Sequence, residues 1–200
     1  MRLVIIDFEA TCWKYKPKNP TQEIIEIGYV IAELPSLERL EAGSIIVRPV
    51  FNPKLSKFCT KLTSITQDMV KKGIKFSKAL AMFAETLKPG DIFGSWGAFD
   101  KKILHNNCQV FGDVYPFQTN HINVKTLVGK LMSDTALHWT RRGGGLMSAV
   151  QKLNIDFEGK WHRGGDDAIN ILNVIVACQD YLDHSGRELS FADEIIELSE

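Results

Sequence analysis

Apolar residues run together in some stretches of this chain and recur every three or four positions in others. RLVIIDFEA (2–10) opens with an unbroken Leu/Val/Ile run, the pattern of a buried strand, and EIIEIGYVIAEL (23–34) repeats it. GSIIVRPVF (43–51) follows closely enough to pair antiparallel with the second strand. The period then lengthens. Thr63 or Ser64 is placed to cap a short helix through Val70, with Gly73 ending it. Phe76, Leu80, Phe83 and Leu87 recur as on an amphipathic helix over 75–88, which Pro89-Gly90 stops. DIFGSWG (91–97) predicts a fourth strand, with a helix from about Phe99 to Phe111, and 121–132 predicts a fifth strand running into a helix. RRGGG (141–145) is a loop, followed by a short helix over 146–154 and a long one over about 166–183. Strands first, then strands alternating with helices, predict an α/β fold: one mixed five-stranded sheet with helices on both faces. No linker divides it, so residues 1–200 are expected to form a single domain.

Two acids interrupt the first strand. Side chains two apart on a strand share a face, so Asp7 and Glu9 point together while Phe8 points to the opposite side. A solvated acidic pair at a strand end is ordinary. In a cleft, two like charges repel unless a cation lies between them. Carboxylate oxygens with no nearby His or Cys favour a hard ion, magnesium or manganese. Asp100 opens the helix after the fourth strand, where the helix terminus favours an acid and where open α/β sheets place their ligands. In WHRGGDDAINILNVIVAC two aspartates compete. Asp167 shares a helical stripe with Ile171, Val174, Ile175 and Cys178 and should point inward. Asp166 lines up with Ile169, Asn170 and Asn173 and is better placed as a cap. His162, five residues before Asp167, must sit on a loop to share its site. Gly164 and Gly165 would make that loop mobile, and an imidazole there suits a general base for water. Four acids and one histidine together describe a two-metal hydrolytic centre.

Composition excludes several alternatives. With 44% hydrophobic and 24% charged residues, the 200-residue chain has the makings of a globular core, and nothing in it is repetitive or low in complexity. Its apolar runs are strand-length, so no membrane span is expected. The chain enters a strand almost at once and shows no signal peptide; Cys12, Cys59, Cys108 and Cys178 form no CxxC pair. Free thiols and a cytoplasmic setting follow as expectations, and zinc does not. A net charge of zero argues against bulk electrostatic capture of nucleic acid. It hides an asymmetry, because residues 188–200 hold five acids and no bases, leaving 24 bases against 19 acids in 1–187. In that acidic tail, Phe191, Ile195 and Leu198 suit one helical face, either packed on the domain or offered to a protein partner or second copy.

At these residues the chain resembles a known family. DFEATC, the carboxylate of GSWGAFD and the closing His162-x4-Asp167 match, in order and spacing, the three motifs of the DEDDh 3′→5′ exonucleases of the ribonuclease H-like superfamily. DFEATC, EIIEIG, FCTKLTSITQDMV and the H-x-G-x-D-D form of the third motif resemble the Eri-type enzymes, a group that includes the histone-mRNA 3′ exonuclease and KapD-like proteins. The resemblance implies a ribonuclease H-like fold and two Mg2+ or Mn2+ ions held by Asp7, Glu9, Asp100 and Asp167. It implies His162 as general base, and release of nucleoside 5′-monophosphates from single-stranded 3′ ends, RNA before DNA. A DNA-directed exonuclease and a catalytically silent nucleic-acid or protein-binding member of the fold are the alternatives. The resemblance also places Phe58 and Trp96 beside the terminal nucleotide and the backbone of Phe8, Ala10 and Thr11 near its ribose. Core packing competes for Trp96, and the Phe8 side chain suits the core better. Arg141 and Arg142 either grip phosphates or lie on an exposed loop, and Lys14, Lys16 and Lys18 pose the same choice, with a solvated face the simpler reading.

Overall fold

The computed structural model describes residues 1–15, 17, 21–118, 120–135, 137, 139, 144–186 and 190–199. Its centre is a five-stranded sheet in the order β3-β2-β1-β4-β5. β1 (Arg2–Ala10), β2 (Ile24–Glu33) and β3 (Arg39–Ile46) form an antiparallel meander. β4 (Ile92–Ser95) and β5 (His121–Asn123) add to it parallel to β1. The long Leu/Val/Ile run of β1 is explained by burial on both faces. Leu3 and Ile5 join one apolar cluster, built with α5 (Val124–Met132), α6 (Leu146–Leu153), α7 (Gly164–His184) and α8 (Phe191–Ser199). Val4, Ile6 and Phe8 join the other, closed by α3 (Phe76–Ala84) and α4 (Phe99–Phe111). Asp7 and Glu9 therefore continue the α7 face, and Phe8 is core on the far side. The mixed α/β sheet with helices on both faces is the fold expected from the chain.

Three boundaries differ from expectation, each for a local reason. The third strand ends at Ile46; beyond it the Val47 amide donates to the Ile25 carbonyl at 2.9 Å and Val47 bridges to Ile74. Pro49 has no N–H to give a ladder. The Glu23 carboxylate instead accepts the amides of Val50, Phe51 (3.0 Å) and Asn52 (2.6 Å), turning this segment into a loop. The helix expected from Thr63 to Val70 is two helices, α1 (Lys57–Thr63) and α2 (Gln67–Lys72). Ser56 and Thr66 are their caps, and Ser64, at φ 61°, breaks the chain between them. The Thr63 hydroxyl is not a cap; it donates back to the Cys59 carbonyl at 3.0 Å. The helix after Lys75 stops at Ala84, short of Leu87. At the carboxyl end Phe191 and Ile195 are buried as expected, whereas Leu198 is exposed. Cys12, Cys59, Cys108 and Cys178 are all free.

Candidate active site

Three backbone decisions bring the acids together. First, β1 runs its last acids past the end of β4, so Asp7 and Glu9 reach the carboxyl edge of the parallel pair. Second, α4 begins immediately after β4, and its first turn carries Asp100, whose Oδ1 accepts the Phe8 amide at 2.8 Å. Third, the start of α7 lies directly on the β1–β2 backbone. A Cβ at Gly164 would come within 2.4 Å of the Asp7 carbonyl oxygen, and one at Gly28 within 1.9 Å of the Gly164 carbonyl carbon. Only glycine permits that approach. Gly164 and Gly165 are thus the first turn of the helix pressed onto the sheet, and the expected mobile glycine loop is replaced by a close contact.

This contact delivers Asp167. It is 5% exposed, as the helical stripe predicted, and its Oδ1 has no hydrogen-bond partner. Asp166 lies within the first turn and not at the cap; Arg163 holds the cap position, and the Asp166 carboxylate accepts the Lys160 amide at 2.8 Å. His162 occupies the turn just before α7 at φ 58°, its ring 4.8 Å from that of Trp161. Asp7, Phe8, Glu9, Trp96, Phe99, Asp100, Leu146, Trp161, His162 and Asp167 line one cleft of about 320 Å³. Ligand atoms of Glu9, His162 and Asp167 all lie within 4.8 Å of one another.

No Lys or Arg lines the cleft among the described residues. Burial raises every acid in it, and repulsion from neighbouring acids adds to the rise of Asp7, Glu9 and Asp167. Burial lifts Glu9 to about 9, with Asp167, Glu26 and Asp100 adding to the effect. Burial lifts Asp167 to about 7. Asp7 is raised well above the ordinary carboxylate range, by burial first and then by Asp100 and Asp167. Asp100 rises to about 6 by burial, held back by the hydrogen bond from the Phe8 amide. Burial lowers His162, which favours a neutral imidazole. Clustered carboxylates, an unpartnered buried oxygen and an adjacent neutral imidazole fit a hard divalent cation.

A fifth acid shares this face and has the opposite surroundings. Glu26 pairs across the ladder with Glu9 and is 0% exposed. Arg163 grips it through Nε (3.1 Å) and Nη2 (2.7 Å), the Gly164 amide donates to it at 2.9 Å, and the Ser44 hydroxyl donates as well. Arg163 sits between His162 and Gly164, so this pair fixes the turn that carries the imidazole. Neither residue stands out in the sequence by chemistry alone. The available signal is Glu26 itself, a charge in the middle of an otherwise buried strand, which demands a partner.

The expected substrate contacts divide. Trp96 lines the cleft, and its indole N–H donates to the Gly144 carbonyl at 3.1 Å. Phe58 is exposed on α1 and lines a neighbouring groove that His162 also lines. The backbone groups are engaged within the protein. The Phe8 amide serves Asp100, the Thr11 amide donates to the Glu23 carbonyl at 2.8 Å, and the Ala10 carbonyl faces the Cys59 thiol at 3.6 Å. Arg141 and Arg142 lie outside the described residues, as do Lys16 and Lys18.

A mixed sheet carrying a buried acidic cleft and a neutral imidazole at its carboxyl edge is an arrangement suited to metal-assisted hydrolysis. Comparison with known proteins agrees. The Exonuclease (RNase_T) family model matches residues 4–175, and this chain belongs to that family. The rat 3′-5′ exoribonuclease 1 is 34% identical over 185 residues, covering 87% of this chain and 52% of the relative. The probable 3′-5′ exonuclease KapD of Bacillus subtilis is 33% identical over 171 residues, covering 84% of this chain and 79% of KapD. The solved nuclease domain of 3′hExo, a DEDDh family member bound to rAMP, superposes with a TM-score of 0.78 at 31% identity, covering 94% of each chain. The chain spans just over half the length of the 3′-5′ exoribonucleases 1 it matches.

Proposed function

We propose that this chain is a divalent-metal-dependent 3′→5′ exonuclease that removes nucleoside 5′-monophosphates from single-stranded 3′ ends, RNA preferred. The observation that carries the reading is the buried, unpartnered Oδ1 of Asp167 in a cleft where Asp7, Glu9 and Asp100 are also raised and which no Lys or Arg lines among the described residues. Asp7, Glu9, Asp100 and Asp167 would hold the metal, magnesium or manganese, in two positions. When bound, the metal supplies electrostatic stabilisation of the scissile phosphate and of the leaving oxygen.

The chain's own groups do the rest. His162, kept neutral by burial, accepts the proton of the attacking water at its free ring nitrogen. Trp161 packs against that imidazole, and the Glu26–Arg163 pair holds the turn beneath it. The Phe8 amide orients Asp100. Trp96 and Leu146 form the apolar wall against which a terminal base would lie. The preference for RNA is supported by relatives named as exoribonucleases and by the neighbour solved with rAMP.

The test is competition between 5′-labelled single-stranded RNA and DNA of one sequence, with magnesium or manganese. The expected product is a ladder shortening from the 3′ end, RNA consumed first. His162→Ala should slow it roughly 10²- to 10⁴-fold, the usual contribution of a general base. Internal cuts, or hydrolysis that persists in chelator, would remove the proposal.

A further inference from the structure

The strand that leads towards Asp100 ends on a buried hydroxyl. Ser95 closes β4 and is 0% exposed, in a strand whose other members are buried as well. A hydroxyl so placed costs stability unless it is hydrogen-bonded. Its partner comes from the next strand. Phe93 pairs with His121 and Ser95 with Asn123 in the parallel ladder, so His121 lies diagonally across from Ser95 on the same face. The His121 Nε2 is 2.8 Å from the Ser95 Oγ, and the ring lies against that of Phe93 with 5.2 Å between centroids. Neither Ser95 nor His121 lines the acidic cleft; His121 opens on a separate pocket beside α5.

The same hydroxyl grips the chain that follows it. Ser95 Oγ donates to the Gly97 carbonyl at 3.1 Å, and the Gly97 amide donates to the Ser95 carbonyl at 2.9 Å. This closes a tight turn, with Gly97 at φ 110°, from which Trp96 enters the cleft. α4 starts directly after the turn with Ala98 at its cap, and Ala98 makes no side-chain capping bond. Ser95 supplies the missing hold, and with the Phe8 amide it is among the donors that steady the Asp100 carboxylate against its burial. A serine has one hydrogen to give. An imidazole protonated on Nδ1 would take that hydrogen through Nε2, at the expense of Gly97 and Asp100. An imidazole protonated on Nε2 donates to Ser95 instead and leaves the serine hydrogen to them. Burial, with Lys101, lowers His121 to about 4, so near neutrality the ring is uncharged and carries one N–H. We propose that His121 donates from Nε2 to Ser95 and thereby positions Asp100 and Trp96, so that two residues outside the cleft set one of its carboxylates and one of its walls. The proposal rests on the reading of the cleft as a metal centre.

The test reads metal uptake apart from turnover. Manganese binding to the full chain is measured by calorimetry, without nucleic acid, for wild type, Ser95→Ala, His121→Phe and His121→Gln. Phenylalanine keeps a ring against Phe93 and removes the donor, whereas the glutamine amide restores a donor of similar reach. Ser95→Ala and His121→Phe should each weaken manganese binding about tenfold to about a hundredfold, the usual cost of losing a group that orients a metal ligand. His121→Gln should recover most of that loss. Ser95→Ala combined with His121→Phe should bind no more weakly than Ser95→Ala alone, since the histidine acts through the serine. Nitrogen-15 spectra of the wild-type histidines, with the His121 signal assigned by its absence from the His121 variants, should show the proton on Nε2. Unchanged manganese affinity in His121→Phe, a glutamine variant as weak as the phenylalanine one, or a proton on Nδ1 each overturns the proposal. Wild type that takes up no manganese overturns it together with the metal reading. Wild type that binds manganese and releases no mononucleotide from RNA removes the exonuclease reading alone, and the positioning pair stands.

Discussion

Glu26 and Asp167 lie close to the same glycine contact, both buried, and their surroundings are opposite. Glu26 receives a two-pronged guanidinium, a backbone amide and a hydroxyl. Asp167 keeps an oxygen with no donor, among three other acids. Both sites are products of one chain folding once, and the first shows that this fold can satisfy a buried carboxylate fully. That one oxygen of the second is left without a donor supports the proposal that the cleft takes up a cation. A buried ion pair is weak evidence for stability, whereas a buried charge without its partner is a large liability. In this reading the paired acid positions the turn, and the acids of the cleft would hold the proposed cation.

Breaking the satisfied half should have the largest effect. Arg163→Met leaves Glu26 buried without its cation, and such losses cost about 3–5 kcal/mol. Denaturant unfolding should show that loss with and without metal alike. Because Arg163 adjoins His162, the remaining folded enzyme should also lose turnover rate more than substrate affinity. A variant as stable as wild type would mean that the pair does not hold the turn.

A smaller effect should separate the unsatisfied half by pH. Glu9, raised to about 9, and Asp167, raised to about 7, hold protons in the folded protein that they would release when unfolded. Their contribution to stability is complete below the ordinary carboxylate range and is lost as pH climbs through about 7 and then about 9. His121, lowered to about 4 by burial, and His162, lowered likewise, act in the opposite sense below about 6.5. The clean window is therefore above that pH, and the clean quantity is the difference between wild type and Glu9→Gln in chelator. Wild type should lose more stability than the variant between about pH 6.5 and pH 9; parallel curves would contradict the raised Glu9.

How much of this was legible beforehand follows from how far each signal reaches along the chain. The alternation in β1 placed Asp7 and Glu9 together and Phe8 in the core, because strand period is local. The stripe of α7 turned Asp167 inward for the same reason. The Glu26–Arg163 pair joins residues 137 positions apart and depends on a ladder register that no window of sequence contains. Gly164 and Gly165 illustrate a second limit. Glycine serves both for unusual dihedrals and for close approach, and the letter is the same; only the neighbouring Gly28 and Asp7 backbone decides between them. Ser64 broke a helix that local propensity would have continued.

The central claim is that the acids of the cleft are arranged for a metal and not for the stability of the chain alone. Thermal unfolding of wild type and Asp167→Asn, each in EDTA and in saturating manganese, tests it most directly. The amide keeps the shape of the side chain and removes its charge. Above about pH 7, where Asp167 carries its charge, the variant should unfold at the higher temperature in EDTA, since repulsion among the acids is relieved. In manganese the order should invert, wild type gaining by metal binding what the variant cannot. If Asp167→Asn lowers the unfolding temperature in EDTA, and manganese shifts both proteins equally, the cleft is not a metal site and the account fails.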